Sequence, residues 1–227
     1  MDLSGFWAFL GLVGFAIASL YSPSATINYE VAVTITLDGQ PYTGRGVWSM
    51  TSEEVQALGY RHIVTTVRGE AIKIPVPDGP QIYALRRSQG SSTRAYGAFP
   101  DGCIRGEQRS GLLAAIESFR GPCVVEDYPL PLLVTVEDPM NPASVAPVGS
   151  LGSYDKPDAC PHICLVEVVV TRSDEPITTG LVSEMPWLAM GYELSEIGTG
   201  EEFFPGKAIF PGKLYNQDFT TQSRPSG

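Results

Sequence analysis

The clearest pattern along the chain is the alternation from Ile27 to Leu37. Ile27, Tyr29, Val31, Val33, Ile35 and Leu37 are apolar, and Asn28, Glu30, Thr34 and Thr36 between them are polar. A period of two predicts a strand with one buried and one wet face. Asp38-Gly39 supplies a hairpin turn into a second strand over 42–50. Thr51-Ser52-Glu53-Glu54 ahead of Val55, Ala57 and Leu58, closed by Gly59, has the spacing of a capped helical turn. Further strands are expected over Arg61–Val67, Glu70–Val76 and Gln81–Leu85, the last two joined by the turn Pro77-Asp78-Gly79-Pro80. Residues 27–87 therefore predict an antiparallel meander.

Beyond it the periodicity fades. Ser88–Arg109 carries Gly, Ser and Arg without a repeat and reads as a long exposed loop. Ser110 is placed to cap a helix over Gly111–Phe119, whose apolar face is Leu112, Leu113, Ile116 and Phe119 and whose stop is Gly121-Pro122. Leu132–Val136 is a short apolar run that ends on Glu137-Asp138, with Pro139 and Pro142 following. That is a buried strand feeding a stiff loop, since neither proline fits inside a central strand. A second run, Leu165–Thr171, leads into SDEPITTG, and the two runs are expected at the centre of the domain. Pro186-Trp187-Leu188 is expected to lid the core. FPGK at 204–207 recurs at 210–213, which reads as two Pro-Gly turns on a surface loop because two copies are too few for a solenoid. Polar residues 217–227 are expected to be disordered. The fold class expected is mainly β: an antiparallel sheet or sandwich-like domain over 26–200 with one short helix, followed by a Pro/Gly tail over 201–227.

An N-terminal hydrophobic helix is expected ahead of that domain, within residues 1–25. Phe6–Tyr21 has no charged residue and is the segment suited to a membrane, slightly shorter than the roughly 20 residues of a spanning helix. Ala16-Ile17-Ala18 has the small-x-small form of a signal-peptide cleavage site, although Asp2 stands where such peptides carry a basic residue. Membrane anchor and export signal both place the body of the protein in a cell envelope; a buried core helix is the structural alternative.

Net charge is −10 and the pI about 4.6, and no Lys/Arg run concentrates positive potential. A nucleic-acid partner is therefore not expected. Cys103, Cys123, Cys160 and Cys164 form an even set that suits two disulfides in an oxidising compartment. Cys103–Cys123 would tie the two ends of the helix together, and Cys160–Cys164 needs a tight turn that Pro161 makes feasible; crossed pairings remain open. Cys160-Pro161-His162-Ile163-Cys164 has one residue more than a CPHC redox site and runs into a strand rather than a helix. Zinc bound by Cys160, Cys164 and His162 would need Cys103 or Cys123 as well, without paired CxxC spacing.

His62 and His162 are the two histidines, and no G-x-S-x-G, HExxH, P-loop, GxGxxG or EF-hand pattern occurs. Glu137, Asp138, Asp155 and Asp158 are loop carboxylates of the kind that normally face water. No residue is assigned as catalytic, cofactor-binding or metal-ligating, and no cofactor is expected.

PLPLLVTVEDPMNPASVAPV (129–148) and LVEVVVTRSDEPITTGLVSEMPWL (165–188) resemble a family of small proteobacterial envelope proteins. The pattern is roughly L-P-x-L-V-T-F-x-D-x-x-x-P-x-S-V, then P-[VI]-T-T-G and L-P-W-L. GRGVWSM and RGEAIKIPVPDG are similar to its N-terminal half, so the resemblance covers about Tyr29–Leu188. Val136 stands where the family often has Phe, Met185 where Leu precedes Pro-Trp, and the cysteine region at 150–164 departs from it. The resemblance implies a bacterial envelope location and no particular activity. The expected function is a non-catalytic binding or assembly module, inner-membrane anchored and facing the periplasm or exported, with another envelope protein as its partner. The alternative is a periplasmic hydrolase using loop carboxylates such as Asp138, or His162, which would need Asp138, His162 or Arg172 to converge in one cleft.

Overall fold

The computed structural model describes residues 23–57, 60–88, 103, 111–125, 130–148, 162–190, 193–194 and 214–221. The hydrophobic segment Phe6–Tyr21, Asp155, Asp158, Cys160, the FPGK repeat and residues 222–227 lie outside the described residues, as does most of the loop expected over Ser88–Arg109. Among the described residues no helix is long and apolar enough to cross a membrane.

The strands are β1 Ser24–Leu37, β2 Gln40–Ala57, β3 Tyr60–Arg68, β4 Ile72–Ile74, β5 Gln81–Ser88, β6 Cys123–Val124, β7 Pro131–Val136, β8 Val145–Pro147 and β9 Ile163–Ser173, with two short ones, β10 Glu193–Leu194 and β11 Leu214–Tyr215. Helices α1 Leu112–Ser118, α2 Leu181–Glu184 and α3 Asn216–Phe219 are short. One antiparallel sheet has the order β3-β2-β1-β9-β6 and a second has β4-β5-β7-β8; β10 and β11 pair separately. The mainly β, antiparallel architecture is the one the sequence predicts.

β1 shows why. Ile27, Tyr29, Val31, Val33 and Ile35 are buried on one face, where they meet Trp48 and Met50 of β2, Ile72 and Ile74 of β4, Ile82 of β5 and Leu133 of β7. These residues form a core between the two sheets, into which α1 inserts Ile116. The second sheet is buried on its other face as well. Tyr83, Leu85, Leu132, Val134 and Val136 pack there against Leu181, Met185, Trp187, Leu188 and Phe219. Trp187 meets Phe219 edge-on, with ring centroids 5.6 Å apart, and donates its indole N–H to Pro139 O at 2.8 Å. Pro186-Trp187-Leu188 thus lids the second sheet, and its anchor is the proline-framed loop.

Several local expectations yield to tertiary pairing. The helical turn expected at Thr51-Ser52-Glu53-Glu54 does not form: these residues continue β2, paired to β1 on one side and β3 on the other. Two ladders of backbone hydrogen bonds outweigh one local capping signal. The meander splits between two sheets at Gly69, and the strand expected over Glu70–Val76 contracts to Ile72–Ile74. The two central runs also part: β7 is interior to the second sheet, whereas β9 lies between β1 and β6 in the first. The helix runs over Leu112–Ser118 with Gly111 at its N-cap and no cap bond from that residue's side chain; Ser110, the cap expected from the sequence, lies outside the described residues.

The disorder expected over 217–227 is corrected for its described part, 217–221. Asp218, Phe219 and Thr220 are buried. Residues 219–221 line the corner between β3 and β4: Phe219 O accepts from Ala71 N, Thr220 bridges Glu70, and Thr221 exchanges bonds with Gly69. A polar composition suggests solvent, but these polar groups find partners in the Gly69 backbone, the Glu70 carboxylate and the Arg87 guanidinium.

Cys103 and Cys123 are joined by a disulfide, with Cα atoms 5.9 Å apart across 20 residues of sequence. Closing a loop of that length stabilises the fold by roughly 3 kcal/mol on the chain-entropy argument. Replacing both by serine should lower the unfolding free energy by about that amount in urea melts; an unchanged midpoint would show that the bridge contributes nothing.

Candidate binding edge

The residues proposed for a hydrolytic cleft are apart and already engaged. Asp138 organises its own loop: Oδ1 accepts from Met140 N at 2.9 Å, and its backbone N–H and C=O both bond Ser144 Oγ. Arg172 donates to Glu117 O at 2.8 Å, holding the end of α1. His162 is exposed at the opposite end of β9, with Nδ1 3.4 Å from Asp38 Oδ1 on the β1–β2 turn. An extended 11-residue strand separates His162 from Arg172 by roughly 33 Å. Glu137 is exposed on the Asp138 loop, and His62 is exposed on β3. These groups do not converge.

Cys103, Cys123 and Cys164 are all disulfide-bonded, so none of the three sulfurs is a thiolate available to zinc or to thiol exchange. Cys164 also lies within β9, a strand rather than the helix N-terminus that activates redox cysteines. Among the described residues no group of three His, Cys, Asp or Glu side chains is placed to hold a metal.

One ionisable cluster does form on the second sheet. Lys73 Nζ lies 2.7 Å from Glu184 Oε2 and 5.9 Å from the centre of the Tyr83 ring. The Tyr83 hydroxyl donates to Gln81 Oε1 at 3.0 Å and faces Glu184 Oε2 at 3.4 Å. Burial, and then the Glu184 charge, push the Tyr83 hydroxyl well above its ordinary range. Because the folded chain holds that proton more tightly than the unfolded chain, its stabilisation is complete below about pH 10 and is lost as pH rises further. Unfolding free energy should therefore fall above about pH 10, and less steeply in Tyr83→Phe. Equal slopes in the two proteins would rule Tyr83 out as the cause.

The surface most unlike a finished β-sandwich is the β2–β3 hairpin. β1 begins at Ser24, opposite Glu53, and Glu54 N donates to Pro23 O. Past that point, among the described residues, β2 and β3 continue as a two-stranded arm, ending with the pairs Val55–His62, Gln56–Arg61 and Ala57–Tyr60. Tyr60 is 79 % exposed and Val64 45 % exposed, and they share the outer face of β3 with His62, Thr66 and Arg68. The inner face carries Val67, buried opposite Met50, and Thr65, bonded through its hydroxyl to Ser52 at 2.8 Å.

The backbone of β3 has an open side. Glu54 N–H points toward the β1 side, while Val47 exchanges bonds with Thr178 on the other, its N–H reaching Thr178 Oγ1 at 2.8 Å. The odd-numbered residues of β2 therefore bond toward β3. Their partners in β3 are even-numbered, so Arg61, Ile63, Thr65 and Val67 turn their N–H and C=O groups outward. Arg86 covers the Val67 carbonyl at 2.6 Å, and residues 219–221 cover the backbone beyond it from Gly69 to Ala71. Arg61, Ile63 and Thr65 are left with no strand neighbour on that side among the described residues. Sequence reading identified the strand but not its exposure, because Arg61–Val67 carries the same β-branched residues as an interior strand. Against protein-family models, curated proteins and solved structures, the chain gives no match.

Proposed function

We propose that this chain is a non-catalytic binding or assembly module of a bacterial cell envelope, membrane-anchored through Phe6–Tyr21 or exported. The observation that carries the binding reading is the β2–β3 arm, which presents Tyr60 and Val64 to solvent beside an uncovered stretch of strand edge. A monomeric sandwich usually blunts such an edge with a proline, a bulge or a covering segment. Among the described residues this chain closes the same edge from Val67 onward and leaves it open before. The disulfides at Cys103–Cys123 and at Cys164 support an oxidising compartment. The resemblance to envelope proteins, which rests on the quoted motifs, points the same way.

A photo-crosslinking residue in place of Tyr60, tested in intact bacterial cells, examines this directly. The expected result is a discrete adduct in the envelope fraction that is absent when the same residue replaces the exposed Asp78. Equal crosslinking from both positions, or recovery of the protein in the cytosol, would overturn the reading. The hydrolase alternative gains nothing from the separation of Asp138, His162 and Arg172.

A further inference from the structure

We infer that the open edge of β3 pairs with the same edge of a second copy, joining two five-stranded sheets into one continuous sheet. The inference deepens the binding-module reading by naming the partner. The edge is complementary to itself. Among the described residues the outward-facing backbone groups left uncovered belong to Arg61, Ile63 and Thr65, a stretch centred on Ile63. A two-fold axis at Ile63 sets Ile63 against itself and Arg61 against Thr65 of the other copy. All three then exchange backbone hydrogen bonds, and pairing ends before the Val67 carbonyl that Arg86 occupies.

The side chains agree with this register. No like charges stand directly opposite: Arg61 faces Thr65, and its guanidinium is already 3.1 Å from Glu54 of its own arm. On the outer face Tyr60 lies opposite Thr66 of the other copy, diagonal to that copy's Val64 and Arg68. The two exposed apolar residues of the strand would cover each other, with Arg68 positioned for a cation–π contact on the Tyr60 ring. Shifting the axis one residue to Val64 keeps the outward groups paired. It also aims the Arg61 backbone N–H at the Val67 carbonyl, which the Arg86 guanidinium already occupies, so the two donors would compete there. A heterologous strand would share the backbone bonds but has no reason to share this symmetry.

The test uses the full chain in mild detergent, examined by sedimentation equilibrium. The wild type is expected to be a dimer. Ile63→Pro removes an outward N–H that the β2–β3 ladder does not use, so it should be monomeric with an unchanged circular dichroism spectrum. A wild-type monomer at ~100 μM, well above the Kd range of weak but specific pairing, would overturn the proposal, as would a dimer indifferent to Ile63→Pro. Ile63→Cys decides the matter if the proline variant misfolds. The Cα atoms would be about 5.5 Å apart across the axis, within disulfide reach, so this variant should form a reducible dimer faster than Thr43→Cys on the exposed part of β2. Equal rates would overturn the proposal. A monomer that crosslinks from position 60 to a different envelope protein removes self-pairing and keeps the binding reading; an Ile63-dependent dimer found in the cytosol does the reverse.

Discussion

Gly69→Ala is expected to lower the unfolding free energy by about 3–5 kcal/mol, a large share of the roughly 5–15 kcal/mol typical of a folded domain. Gly69 has φ +151°, in the region that favours glycine, at the point where the chain leaves the first sheet for the second. A methyl group there would lie 2.3 Å from Cδ1 and 2.8 Å from Cγ of Trp48. The indole cannot retreat. It is buried, its ring meets Tyr29 edge-on, and its N–H is held by Glu70 O at 2.7 Å. The backbone must shift instead, and Glu70 shifts with it. Glu70 is a buried carboxylate whose Oε2 accepts from Leu181 N at 2.8 Å at the start of α2, and whose Oε1 faces Thr220. The damage therefore spreads to the lid over the second sheet. Gly39→Ala is the control: its φ is +79° but a methyl there meets nothing within 4 Å. Backbone strain alone should cost that variant about 1 kcal/mol. Similar losses in the two variants, measured in urea, would show that the Trp48 contact is not what matters.

Asp218→Ala is expected to cost a comparable amount by a different route. Asp218 Oδ2 lies 3.6 Å from Arg87 Nη1, and both side chains are 5 % exposed. The pair joins α3 to the end of β5, beneath the corner that residues 219–221 line. Removing one partner of a buried ion pair typically costs about 3–5 kcal/mol, because the remaining charge keeps its desolvation penalty and loses part of its compensation. Replacing both, as in Arg87→Met with Asp218→Leu, should be milder than Asp218→Ala alone. Protease digestion gives a second readout: the segment around Phe219 should become cleavable in the single variant first. A single variant as stable as the wild type would mean that the C-terminal segment is held by its backbone bonds and not by the pair.

These two predictions rest on one joint, and the joint explains what the sequence could and could not disclose. β1 was legible because an 11-residue alternation is a local property, and the helix before Gly121-Pro122 was legible for the same reason. Trp187 was legible as a lid because a large apolar residue beside proline has few other uses. The motifs GRGVWSM, RGEAIKIP and PITTG carried a resemblance but no visible purpose. In the structure they meet. Gly44 lets β4 approach β2 so closely that a methyl would fall 2.5 Å from Lys73 O, Thr178 seals the β2 edge at Val47, and Glu70 caps α2. Such roles belong to pairs of segments distant in the chain, 111 residues apart for Glu70 and Leu181, and no local pattern encodes them. Thr51–Glu54 and 217–221 misled for the same reason, since their polar side chains find partners only once the sheets are assembled. The open edge of β3 was hidden because exposure on one side of a strand depends on what the rest of the chain leaves uncovered.

The most direct test of the envelope reading is the intact mass of the protein recovered from fractionated bacterial cells, alkylated before and after reduction. The account predicts recovery in the envelope fraction with no alkylation of the unreduced protein, and alkylation at all four cysteines of the chain after reduction. Recovery in the cytosol with four reactive thiols would contradict it.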